Sequence, residues 1–136
     1  MSRALTFALL LLSACASSGG GIHPLRPLEL ATAPYQPAVT ASLTGSLAYE
    51  NGCLLFIEDE TRQPFLPVWP TGSLFNGTSV IFHQPGKTDQ PVVIAQEFVL
   101  SGTATEWPQL PGEYYARFEA QCRAPPLLVS AIRPAD

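Results

Sequence analysis

Charge is scarce in this chain. Asp, Glu, Lys and Arg make up 13% of the 136 residues, about half the usual share of a soluble domain. The seven Lys and Arg are scattered, so no basic patch is available to neutralise phosphates, and nucleic acid is excluded as a partner. Long apolar runs are missing as well. The longest, Ala4 to Leu12, has nine residues, far short of the roughly 20 that span a bilayer as a helix. No window repeats its apolar residues at helical spacing convincingly; Val92 to Leu100 is the one contender. There is no C-x-x-C and no G-x-S-x-G, so nothing supports a thiol-redox pair or a nucleophile elbow. Proline and glycine are abundant, at 14 and 10, and frequent turns with few long helices follow. The length suits one domain with a real core.

The amino terminus reads as an address. Arg3 supplies the only early charge, the run from Ala4 to Leu12 has the size of a signal-peptide core, and Ser13, Ala14 and Cys15 follow. Leu12-Ser13-Ala14-Cys15 resembles the lipobox of bacterial lipoproteins. That resemblance implies removal of residues 1–14, diacylglycerol on the Cys15 thiol and acylation of the new amine. Several chains make such an anchor durable, since each buried methylene contributes about 0.8 kcal/mol. Ala16 and Ser17 stand where an Asp would signal retention in the inner membrane, so the expected address is the periplasmic face of the outer membrane. Without Arg3, 6 basic residues face 11 acidic ones. Residues 15–37, with a Gly run and prolines at 24, 27, 34 and 37, read as the lipidated cysteine and a flexible tether. His23 reads as a solvated tether residue.

Residues 38–136 read as an all-β domain. From Val39 to Tyr49 apolar and polar residues alternate, and Asn51-Gly52 then gives the strongest short hairpin signal, because both positions of that turn need positive φ. Cys53 to Glu58 returns as a second strand. Phe65 to Trp69 forms a third, pushed toward an edge or a bulge by Pro67. Ser79 to His83, Val92 to Ala95, Phe98 to Leu100, an alternating Tyr114 to Cys122 and Leu127 to Ile132 supply the rest. Short runs bounded by turns point to a small, closed or partly open antiparallel barrel of the OB-like type, with Val92 to Leu100 as its connecting element.

With Cys15 given to lipid, Cys53 and Cys122 remain, and an even remainder in an oxidising compartment reads as one disulfide. It would staple the second strand to the penultimate one. The alternatives are a metal site or a reactive thiol pair, but no His lies near either cysteine in sequence. Glu58-Asp59-Glu60 lacks the spacing of a calcium loop and reads as a solvated turn. Neither a metal nor another cofactor is expected, and no catalytic residue stands out. His83 reads as a surface residue at a strand end, and Asn76-Gly77-Thr78 as a tight turn. Trp69 and Trp107 read first as core; exposed together with Tyr114 and Tyr115, they would form a platform for a sugar or another partner.

Gly45-x-Leu47, Gly52-Cys53-Leu54 and Val68-Trp69-Pro70-x-Gly72 together resemble a pattern in small bacterial envelope lipoproteins with a barrel-like domain. The resemblance spans Val39 to Gly102 and implies structural roles for Cys53 and Trp69, with Cys122 closing the bridge. It carries no activity. The expected function is therefore a non-enzymatic interaction or structural module, bound to the membrane through Cys15 and meeting an envelope protein or glycan. The alternatives are a small-ligand or glycan binder and an inhibitor of an exported hydrolase such as a lysozyme, with Ser73 to Thr78 or Pro85 to Gln90 as the projecting loop.

Overall fold

A computed structural model describes residues 23–135. Nine strands and one helix follow in order: β1 (Ala31–Ala33), β2 (Ala41–Glu50), β3 (Cys53–Glu58), β4 (Pro64–Pro70), β5 (Leu74–Phe75), β6 (Ser79–Phe82), β7 (Gln90–Val93), β8 (Phe98–Ala104), α1 (Glu113–Cys122) and β9 (Pro126–Pro134). The chain is mostly β, as expected. Five strands close into a ring in the order β2-β3-β4-β9-β8 and back to β2. Four of its pairings are antiparallel, and the closing one, β4 with β9, is parallel over Leu66–Pro126, Pro67–Leu127 and Val68–Leu128.

The hairpin forms where the sequence places it. Glu50 pairs with Cys53, and Asn51 and Gly52 have φ of 52° and 78°. Two other glycines let the ring close. A Cβ on Gly45 would lie 2.2 Å from the Ile57 carbonyl oxygen, and one on Gly102 would lie 1.9 Å from that of Leu128. Neither position can carry a side chain without moving backbone. Gly102 also marks the bulge between β8 and β9. The extra residue there is Ser130, a buried hydroxyl that reaches the carbonyls of Gln36 and Ala38.

Strand β4 departs from expectation, because Pro67 lies in an interior strand rather than at an edge or bulge. Leu66 N–H donates to Pro125 O, so alternation turns Pro67 toward the other side of the strand. There, pairing with β3 ends at Phe65 and pairing with β1 begins at Val68. The missing N–H falls in the gap between two partners, where no ladder bond is lost. Both faces of β4 are buried. Trp69 points into the ring with Leu47, Phe56, Leu100 and Leu127, while Leu66 and Val68 meet Phe118 and Ala124 outside it.

Strands β5, β6 and β7 form a second sheet inserted between β4 and β8. Phe75, Val80 and Val92 lie directly opposite one another across it and are all buried in the ring core. Edge-to-face pairs weld the two sheets: Trp69 with Phe82 at 6.3 Å and Tyr49 with Phe75 at 5.1 Å. The connection Asn76-Gly77-Thr78 is the expected tight turn, with Asn76 Oδ1 accepting from the Thr78 and Ser79 amides.

Three expectations need correction. Tyr114 to Cys122 is a helix, not a strand. Its aromatics suggested β structure, but Ala116, Arg117, Glu119, Ala120 and Gln121 favour a helix, and Tyr115, Phe118 and Cys122 fall on the face packed against the sheet. Conversely, Val92 to Leu100 is not a single connecting element: the strands expected over Val92 to Ala95 and Phe98 to Leu100 are present. The segment holds the end of β7, a turn in which Ala95 has φ 71°, and the start of β8. Finally, the fold does not begin at residue 38. Leu30 and Ala31 are buried, and β1 pairs with β4, so the second half of the expected tether belongs to the domain. Residues 15–22 lie outside the described part.

The candidate site: a strap gripped by the helix

Residues 24–33 form a strap that runs antiparallel along α1. At its start Leu25 N–H donates to Gln121 Oε1 at 3.0 Å, and Gln121 Nε2 in turn donates to Asn51 O at 2.9 Å in the β2–β3 hairpin. One helical turn back, Arg117 holds Glu29 with both forks of its guanidinium, Nη1 to Oε1 at 3.0 Å and Nη2 to Oε2. Three residues before that, the Tyr114 hydroxyl accepts from Thr32 N–H and donates to Leu30 O, both at 3.0 Å. Tyr115 donates to Thr32 O at 2.8 Å, and Tyr49 accepts from Leu28 N–H at 3.0 Å.

The spacing of the grip is helical. Tyr114, Arg117 and Gln121 stand at i, i+3 and i+7 and form one stripe, while the neighbouring stripe of Tyr115, Phe118 and Cys122 packs on the sheet. Arg117 also lies over the Tyr114 and Phe118 rings, 5.5 Å from each centroid. The guanidinium holds the Glu29 carboxyl below its ordinary range, and Glu29 raises Arg117 in return. Burial pushes the Tyr115 phenol up, which keeps it a donor. Sequence reading missed Glu29, Arg117 and Gln121. The i, i+3, i+7 pattern is the available signal, and a strand reading of the segment hides it.

Cys53 and Cys122 are bonded, with Cα atoms 5.7 Å apart. The expected bridge is present, but its second partner is the last residue of α1 rather than a strand. It therefore fixes the helix, and the strap on it, to β3. Cys15 lies outside the described residues.

The four aromatics do not come together as a platform. Trp69 is 1% exposed inside the ring, and its indole nitrogen has no hydrogen-bond partner. Trp107 lies in a short 3-10 turn (Trp107–Gln109), packs beside the helix and donates to Ala124 O at 3.0 Å. Tyr114 and Tyr115 are in contact with each other, 4.9 Å apart, but both hydroxyls are committed to the strap.

Ser73, His83 and Asp89 do converge, and they are the residue types of a hydrolytic triad. The geometry is not one. His83 Nδ1 meets Asp89 Oδ1 at 2.9 Å, but the buried Ser73 hydroxyl accepts from the His83 backbone N–H at 3.0 Å. A triad needs that hydroxyl on the imidazole ring. The His83 ring instead covers Gly72, where a Cβ would lie 2.8 Å from His83 Cδ2.

Elsewhere, a recess of about 220 Å³ lies between β7 and the end of β9, floored by Val92, Phe98 and Ile132. Glu97 at its rim lies beside Asp59, and this second carboxyl, by competing for a shared proton and by like-charge repulsion, raises the Glu97 carboxyl above its ordinary range. Among the described residues, no group of three or more His, Cys, Asp and Glu could hold a metal ion. No family model matches the chain, and neither a curated protein nor a solved structure is detectably similar to it.

Proposed function

We propose that this chain is a membrane-anchored envelope lipoprotein, lipidated at Cys15, whose domain is a non-enzymatic interaction or structural module. The observation that carries the reading is how its reactive residue types are spent. Ser73 and His83 pack a turn, Cys53 and Cys122 are bonded, Tyr49, Tyr114 and Tyr115 grip a strap, and among the described residues no serine hydroxyl is hydrogen-bonded to a His ring or a carboxylate. The address rests on the lipobox, and the outer membrane on Ala16 and Ser17 after the cysteine. A glycan platform has lost its support, since Trp69 is buried and the tyrosine hydroxyls are occupied.

The test is crosslinking in membranes followed by mass spectrometry, comparing the natural chain with Cys15→Ser. A defined envelope protein captured only by the acylated form supports the module. Acylated, folded protein that captures nothing specific counts against it.

Inhibition of an exported hydrolase is the second reading. Its motive is Leu74, 67% exposed within the Ser73 to Thr78 segment on a rigid sheet. Slowing of a lysozyme by the domain, relieved by Leu74→Asp, is the expected result; no effect on a panel of lysozymes and proteases overturns it.

A further inference from the structure

The strap changes how far the domain can stand from its anchor. Cys15 and His23 are eight residues apart, which spans at most about 28 Å. A tether running to Pro37 would reach about 75 Å on the same count. From Pro24 onward the chain is held to the fold, beginning where Leu25 meets Gln121 and the Asn51 carbonyl. The chain therefore leaves the domain at one end, made of the strap's start, the β2–β3 hairpin and the C-terminus of α1.

That end has a composition suited to a lipid surface. Pro24, Pro27 and Leu28 are exposed, Leu28 at 40%. Arg26 and Arg123 are exposed beside them, and neither is ion-paired among the described residues. Glu50 is the carboxylate next to the hairpin. Strand β3 then carries the chain about 20 Å away to the turn holding Glu58, Asp59 and Glu60, with Glu97 against Asp59 and Arg62 as the cation there. At the anchor end Arg26 and Arg123 balance Glu50 and Glu119 beside an exposed apolar edge, while at the far end Glu58, Asp59, Glu60 and Glu97 face Arg62 alone. This is the polarity expected of a body whose less acidic end rests on anionic lipid.

We infer that the face formed by Pro24–Leu28, Asn51 and Arg123 lies on the lipid surface holding the Cys15 acyl chains, with the Glu58–Glu60 turn directed away from it. This rests on lipidation of Cys15, and the test separates the two. Full-length Leu28→Cys and Glu60→Cys proteins are isolated from membranes, checked for acylation by mass spectrometry, labelled with a nitroxide and placed in phosphatidylethanolamine/phosphatidylglycerol vesicles.

A protein without lipid on Cys15 defeats the lipoprotein reading itself. For acylated protein, the expected result is a label at 28 several-fold more accessible to oxygen than to a water-soluble nickel chelate, with the label at 60 showing the reverse. Arg26→Glu with Arg123→Glu lowers the oxygen preference at 28 while circular dichroism stays unchanged. Equal water exposure at both positions overturns the inference, as does a label at 60 lying deeper than the one at 28.

Discussion

The ring and the strap on its flank are built by different means. Ring strands are joined by backbone ladders, and the meander β2-β3-β4 pairs strands adjacent in the chain, as β2 to β3 across a two-residue turn. Apart from the short β1–β4 ladder, the flank is assembled from side chains gripping backbone across 82 to 96 residues, Tyr114 to Thr32 and Leu25 to Gln121. Ring pairing is specified by a local pattern of apolar alternation and turns. Flank pairing requires both ends of the domain to meet, and such contacts repay their loop-closure entropy only once the rest has formed. The ring is thus expected to act as one cooperative body and the strap as a unit that can open by itself.

The sharpest way to break that contrast is to damage the ring at a point with no freedom. Gly102→Val drives a side chain into the Leu128 carbonyl at the β8–β9 seam and is expected to cost about 4 kcal/mol or more. Strands and strap should then be lost in one thermal transition. Separate transitions would show that the flank stands without the ring.

Removal of the bridge comes next. Cys53→Ser with Cys122→Ser releases a constraint 69 residues apart in sequence, worth on the order of 4 kcal/mol in the chain-entropy model. The bridge joins the two regions, so the melting temperature should fall by about 15 °C or more. Hydrogen exchange should rise first in α1 and residues 25–33. A uniform rise over the ring as well would mean that the bridge holds the ring and not the flank.

The same contrast governs what the sequence made legible. Alternation over Val39 to Tyr49, the Asn51-Gly52 signal and the spacing of turns sufficed for a mostly β domain with strands in a ring. Counting cysteines sufficed for the bridge. Pro67 misled because an edge was inferred from a missing N–H, whereas the donor could also fall between two partners of an interior strand. The segment Glu113 to Cys122 misled because Tyr, Tyr and Phe carry β propensity, and tertiary packing decided otherwise. The strap was invisible in a stretch whose prolines suit an extended tether, since its order comes from residues more than 80 positions away. The candidate platform failed for a related reason: residue type told that Trp69 and the tyrosines matter, not which way they face.

Smaller effects should be confined to the flank. Arg117→Ala leaves the Glu29 carboxylate with its fork removed, and loss of a charged, partly buried pair of bonds is expected to cost about 2 kcal/mol. Exchange protection should fall in residues 25–33 and hold in β2, β3 and β8; a global loss would deny the strap its independence.

Acid supplies the gentlest probe, because three carboxyls shift, Glu29 and Glu58 downward and Glu97 upward. Glu29 lies below its ordinary value of 4.5 in the fold, held there by Arg117. Its contribution is therefore complete above about that value and lost as pH falls through the lower, folded one. Glu97 is raised by Asp59, so repulsion at the opposite end of β3 is present above its folded value and relieved as pH falls through it. Lowering the pH from 6 to 3 should thus loosen the strap and relieve the Glu97–Asp59 repulsion, while Glu58, held below its ordinary range by the Thr61 hydroxyl and the Thr61 and Glu60 amides, gives up its hold on the turn as it is protonated. Proton-linked exchange should rise at Leu25 to Ala33 and not at Leu100 to Thr103 of β8 in the ring. Glu29→Gln should abolish the pH dependence of the first region and leave the second unchanged. If both regions loosen together, the acid response belongs to the whole domain, and the separation between ring and strap does not hold under protonation.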